Sequence, residues 1–186
     1  RKYYDKDDLA LGVLDGGIDL RSSPATVQEI AKHATEITDT FRQEVKLIVI
    51  DTVSRALNGG DENSPKDMGA FVANVGALRQ ATGAAVCVIH HIPANGDQRL
   101  RGHGALLGAV DSAFGVEKGA TTRVATLTKA NDAEEGECVA FTLESVTIGD
   151  DGTTAPVVVP ADMPAATGAG QAKRKLLDRD KAALDV

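Results

Sequence analysis

Two apolar runs end in groups suited to phosphoryl chemistry. Leu47-Ile-Val-Ile-Asp51 closes in a carboxylate followed by Thr52, and Ala84-Ala-Val-Cys-Val-Ile closes in His90 and His91. If both runs are strands of one parallel sheet, their polar ends meet at the carboxyl edge, where open α/β sheets bind ligands. A carboxylate there can hold hydrated Mg2+, and an imidazole beside it can sense a phosphoryl oxygen. Taken singly, each residue has a plainer reading, Asp51 as a cap and the histidines as structural or surface groups. Their joint appearance at two strand ends favours chemistry. Asp61 and Glu62 follow in the next loop and read as solvated residues near the same edge.

The elements that would position these groups alternate along the chain. Residues 9–14 (LALGVL) read as a short buried strand and 15–24 as a turn-rich connection. Val27, Ile30, Ala34, Ile37 and Phe41 recur at helical spacing, with Ser23 as N-cap and Pro24 at the first helical position. Ser64-Pro65 opens a second helix over Met68, Phe71, Val75 and Leu78, which Gly83 ends. Residues 92–103 form a polar loop and 104–110 a helical turn or two. After Asp111 the apolar stretches alternate between Gly- and Asp-rich breaks, the pattern of antiparallel strands. The expected fold is α/β, with a partly parallel sheet flanked by helices and antiparallel C-terminal strands. Residues 1–159 form the main domain, 160–171 a Pro/Ala/Gly linker, and 172–186 a C-terminal helix.

Composition narrows the class. The 186 residues are 42% hydrophobic and 25% charged, with 3% aromatics and no Trp, so the core is built from aliphatic side chains. No apolar run is long enough for a membrane span, and the two cysteines offer neither a disulfide framework nor a metal spacing, which suits a cytoplasmic protein. Net charge is −7. Residues 171–186 carry five basic and three acidic side chains, so the acidity lies in the body. That argues against a broad basic nucleic-acid groove on this chain alone.

The ordered set KLIVIDTVSRALNGGDENS, AAVCVIHH, RLRGHGALLGAV and LTKANDAEEGE resembles the RecA-like hexameric ATPases of the RepA replicative-helicase type, a phage and plasmid group related to the DnaB helicases. The resemblance runs over residues 9–148. It implies a RecA-like P-loop NTPase core using ATP and Mg2+, a homo-oligomeric ring, and single-stranded DNA as partner. On this resemblance Asp51 is the Walker B aspartate that supports the metal, and Thr52 hydrogen-bonds its water. His91 is the γ-phosphate sensor, while His90 is structural. Arg101 is the arginine finger acting on a neighbouring subunit's nucleotide, and Lys129 matches a lysine used similarly in trans. Asn131 stands where DnaB-like proteins often carry a further arginine, which leaves Arg101 as the stronger finger; His103 stands where serine is common.

Two family features are absent from the 186 residues: the G-x-x-x-x-G-K-[ST] loop that cradles phosphates, and the catalytic glutamate that the family carries between that loop and the segment starting at Arg1. The expectation is that the sequence is the C-terminal part of such an ATPase domain and is inactive alone. The alternative, from another class, is a non-catalytic RecA-like regulatory or interaction module. A third is an ATP-dependent switch that does not unwind DNA.

Overall fold

The computed structural model describes residues 10–91, 104–148 and 150–164, and the chain divides into two compact units, residues 1–109 and 110–186. The first is helical and parallel. Helix α1 spans Pro24–Phe41, with Ser23 extended at its N-cap and Pro24 at its first position. Strand β1, Leu47–Asp51, leads into the short helix α2, Val53–Ala56, and then α3, Pro65–Thr82. Ser64 caps α3 by accepting a hydrogen bond from the Asp67 amide at 3.3 Å. Gly83 closes the helix at φ +69°, its amide donating to the Arg79 carbonyl at 2.9 Å, a left-handed cap that glycine adopts without a Cβ penalty. Strand β2, Ala85–Ile89, then pairs with β1 in parallel, from Leu47 against Ala85 to Asp51 against Ile89. A six-residue helix, α4, covers Gly104–Ala109.

Leu20, Met68, Phe71, Leu78 and Val53 are fully buried in one cluster with Val27, Ile30 and Ile50. The helices therefore cover one face of the β1–β2 pair. The unbroken apolar runs predict that both strands are buried throughout. Instead Ile50 is 2% exposed, while Leu47 and Val49 on the opposite face are 57% and 55% exposed. A helical layer on one side buries every second residue only.

The second unit is an antiparallel sheet in chain order: β3 Ser112–Lys118, β4 Arg123–Ala130, β5 Cys138–Thr147 and β6 Thr154–Pro160. Leu127 and Ala140 are its buried apolar side chains among the described residues.

Among the described residues, mixed α/β architecture is thus present, as a two-stranded parallel sheet and a four-stranded antiparallel sheet. Residues 10–14 of the expected first strand form no strand. They are exposed, and no described strand offers them hydrogen-bond partners. Strand β6 is an addition to the expected elements, and it takes Pro160, the expected start of the linker. Residues 165–171 of that linker and the expected helix 172–186 lie outside the described residues.

Candidate functional site

The carboxyl edge of the β1–β2 pair collects the residues singled out by type. Asp51 ends β1 in register with Ile89, so Thr52 falls beside His90 as the two strands run out together. Paired strands lie about 4.8 Å apart, which brings these groups within side-chain reach of a common ligand. Alternation then sorts them. Thr52 and His90 continue the covered face, Thr52 at 8% exposure and His90 half-buried. Asp51 and His91 continue the open face, and both are exposed. The peptide joining Asp51 to Thr52 is cis.

The backbone leaving this edge is held in place. The Thr52 carbonyl accepts from the Ala56 amide at 3.0 Å, opening α2. Ala56 in turn accepts from the Leu20 amide at 2.9 Å, and the Asn74 side chain of α3 donates to the Leu20 carbonyl at 2.8 Å. Arg21 donates through Nε to the Leu57 carbonyl at 3.1 Å and sits 3.8 Å from the Asp67 carboxylate. That carboxylate also accepts from the Asp61 amide at 3.0 Å. Asp19 shapes the turn that presents Arg21, accepting from the Ser22 hydroxyl and from the amides of Ser22 and Arg21. These bonds to the ionised form, that of the Ser22 hydroxyl foremost, lower the Asp19 pKa to about 2. Arg21, Asp67 and Asn74 therefore position the loop that follows Asp51, a role that nothing in the sequence pattern signals. Only the local Asp19-to-Ser22 turn has a readable signal. Asp61 is exposed as expected, with its carboxylate accepting from the Asn63 amide and side chain in a turn.

Two other expected residues lie elsewhere. Lys129 is in the second unit, on β4, where its amine donates to the Val110 carbonyl at 2.5 Å. Arg101, with His103, lies outside the described residues. An open cleft of about 230 Å³ lies between residues 13–18 and α1, lined in part by Glu29, Ile30 and His33. None of its lining residues belongs to the carboxyl edge, so the cleft is separate from the Asp51 and His91 groups.

Residues 4–97, half of the chain, match the AAA domain family, and this stretch contains α1 through β2 with Asp51, Thr52, His90 and His91. The chain belongs to the AAA domain family. No curated protein matches it. An AAA domain is an ATPase domain of the P-loop class, which implies nucleotide and Mg2+ as its ligands. The AAA match ends before α4, so the antiparallel sheet falls outside it.

The edge fits one style of metal binding. Among the described residues no cluster of three or more His, Cys, Asp or Glu could cage an ion. Mg2+ at a nucleotide is instead held by one or two carboxylates, waters and the phosphates themselves. A single exposed carboxylate, Asp51, suits that arrangement, while Thr52 lies on the covered face. No helix among the described residues is long and apolar enough to cross a membrane.

Proposed function

We propose that the chain is the C-terminal part of an ATP-hydrolysing RecA-like motor, a replicative DNA helicase subunit of the phage and plasmid RepA type. The observation that carries this reading is the carboxyl edge inside the AAA match, with Asp51 and His91 on one open face of two parallel strands. In this reading Asp51 supports the Mg2+ ion of Mg-ATP, with Thr52 as hydrogen-bond partner to its water. Bound there, the ion would supply charge neutralisation to the phosphates, the γ-phosphoryl group included. His91 senses that group, and Arg101 and Lys129 act in trans on the nucleotide of a neighbouring subunit in a hexameric ring around single-stranded DNA. His90, half-buried on the covered face, is structural.

The test is made on the full-length product of the reading frame. Asp51→Asn keeps the shape and removes the charge, so nucleotide binding should change little. Loss of a metal support worth several kcal/mol should lower Mg2+-dependent turnover by about 100-fold or more. Wild-type turnover by this variant would make Asp51 a mere strand-end cap and sink the reading.

One observation favours a second reading, a non-catalytic interaction module: the 186 residues contain no G-x-x-x-x-G-K-[ST]. Without those amides and that lysine, Asp51 faces a triphosphate as a like charge, and these residues alone should hydrolyse ATP no faster than buffer. The upstream reading frame separates the two, since an in-frame phosphate-binding loop supports the motor.

A further inference from the structure

The single helical turn that follows Asp51 cannot hold itself. Helix α2 has four residues, Val53–Ala56, and so short a helix is unstable without tertiary partners. Asp51 is the last residue of β1 in register with β2, so the strand ladder holds it from one direction along the chain only. Its other side is the exit through α2. That exit is gripped at two successive carbonyls, Ala56 by the Leu20 amide and Leu57 by the Arg21 side chain.

Gly60 shows how closely Arg21 is seated. The Leu57 carbonyl accepts twice, from the Gly60 amide at 2.9 Å and from Arg21 Nε at 3.1 Å. A Cβ added at Gly60 would lie 2.4 Å from Arg21 Cδ and 2.8 Å from its Nε, closer than real Cβ atoms come to anything. The Leu57 carbonyl oxygen, at 3.1 Å, would have to give by only a few tenths of an ångström. Gly60 is not among the glycines with positive φ, so it is the arginine lying across it that requires a glycine there. On the far side, the Asp67 carboxylate stands 3.8 Å from Arg21 Nη1 and accepts from the Asp61 amide at 3.0 Å. An ion pair that long, with Arg21 31% exposed, contributes little. The seated hydrogen bond to Leu57 carries the geometry.

We propose that Arg21, seated on Gly60, is a positioning residue for Asp51 and sets the Mg2+ affinity of the carboxyl edge through Leu57 and α2. The inference rests on the reading of Asp51 as the support of the metal. Groups that orient a metal ligand from behind change metal affinity about 10–100-fold when removed, and Arg21, acting through a turn of backbone, belongs at the low end.

Mn2+ in place of Mg2+, titrated into the full-length product with one equivalent of a non-hydrolysable ATP analogue and followed by paramagnetic resonance, reads this affinity without turnover. Arg21→Ala should weaken Mn2+ binding about 10-fold. Gly60→Ala should do the same, because it unseats the arginine while leaving every charge in place. The double variant should bind no more weakly than either single one, as expected of two changes that remove one contact. A merely structural brace would lower the melting temperature and leave the affinity of the folded protein unchanged, so titrations are run well below the melt. Should Arg21→Ala fail to fold, Gly60→Ala carries the test by itself. In both variants the Ala56 amide hydrogen, bonded to the Thr52 carbonyl, should exchange faster, and that of Gly83, bonded to Arg79, should not change. Asp51→Asn is titrated alongside. If it binds Mn2+ as the wild type does, the metal reading of Asp51 fails and this inference fails with it. If Asp51→Asn weakens binding while Arg21→Ala and Gly60→Ala do not, the reading of Asp51 stands and the positioning role is overturned. Additive losses in the double variant, or an Ala56 amide that exchanges at the wild-type rate, overturn it equally.

Discussion

Residues 1–109 press ten buried side chains into one cluster between helices and two strands, whereas the four strands of the second unit bury Leu127 and Ala140. Both units spend a similar share of their sequence on apolar residues in regular elements. The difference lies in what faces them. Helices α1 and α3 close over one side of the parallel pair, while the antiparallel sheet has its backbone ladder and exposed apolar side chains such as Phe114. The first unit is held mainly by packing, and the second by its ladder. That contrast explains why the carboxyl edge belongs to the first unit. A site needs a supporting layer behind it, and Thr52 lies against one.

The contrast can be broken most decisively at two phenylalanines. Phe71→Ala empties a fully buried position and should cost about 3–5 kcal/mol, read by residue-resolved NMR during urea unfolding so that each unit is followed separately. Phe114→Ala, at 65% exposure, should stay within about 0.5 kcal/mol. Equal costs would mean that the second unit has a core after all.

A finer comparison lies along the first unit's own α3. Gly83→Ala meets no neighbouring atom but must adopt φ +69°, and should destabilise by about 1 kcal/mol. Gly76→Ala, in the exposed middle of the same helix with equal space, should stabilise by about 0.5–1 kcal/mol. Thermal melts of the two variants must move in opposite directions; if they move together, backbone conformation is not what Gly83 supplies.

The smallest effect concerns pH and is confined to the Asp19 turn. The folded carboxyl titrates at about 2, below its ordinary value of 3.8, so the unfolded chain takes up the proton first as pH falls. The contribution of Asp19 is complete above about pH 4 and fades as pH falls toward 2. Asp19 is largely solvated, so the loss is small. In Ser22→Ala the Asp19 carboxyl resonance should titrate nearer the ordinary range, and stability between pH 4 and pH 2 should fall less steeply. A wild-type titration in that variant would remove the Ser22 hydroxyl as the chief cause.

The helices are legible in the sequence because their signals are local: Ser23-Pro24 and Ser64-Pro65 at the starts, apolar spacing within, Gly83 at one end. Strands β1 and β2 are legible as apolar runs, and Asp51 and the histidines as the polar residues that end them. Apolar content alone misleads at residues 10–14, since a strand exists only where another strand accepts its hydrogen bonds. It misleads in the other direction at β6, where Pro156 and Pro160 read as breaks although an edge strand tolerates them. The bracing by Arg21 and Asn74 is illegible for a plainer reason. Their partners lie 36 and 54 residues away, and no local pattern encodes a contact of that span.

Leu20 sits in a stretch without regular structure, yet its amide is bonded to Ala56, its carbonyl to Asn74, and its side chain is wholly buried. In deuterated water such a residue behaves as part of the core. Its amide hydrogen is released only when the surrounding unit opens, at a free energy approaching that of global unfolding, while the exposed backbone at residues 15–17 is released at once. The loop leaving Asp51 therefore shares the lifetime of the hydrophobic cluster, and the edge inherits its steadiness from a leucine that belongs to neither strand.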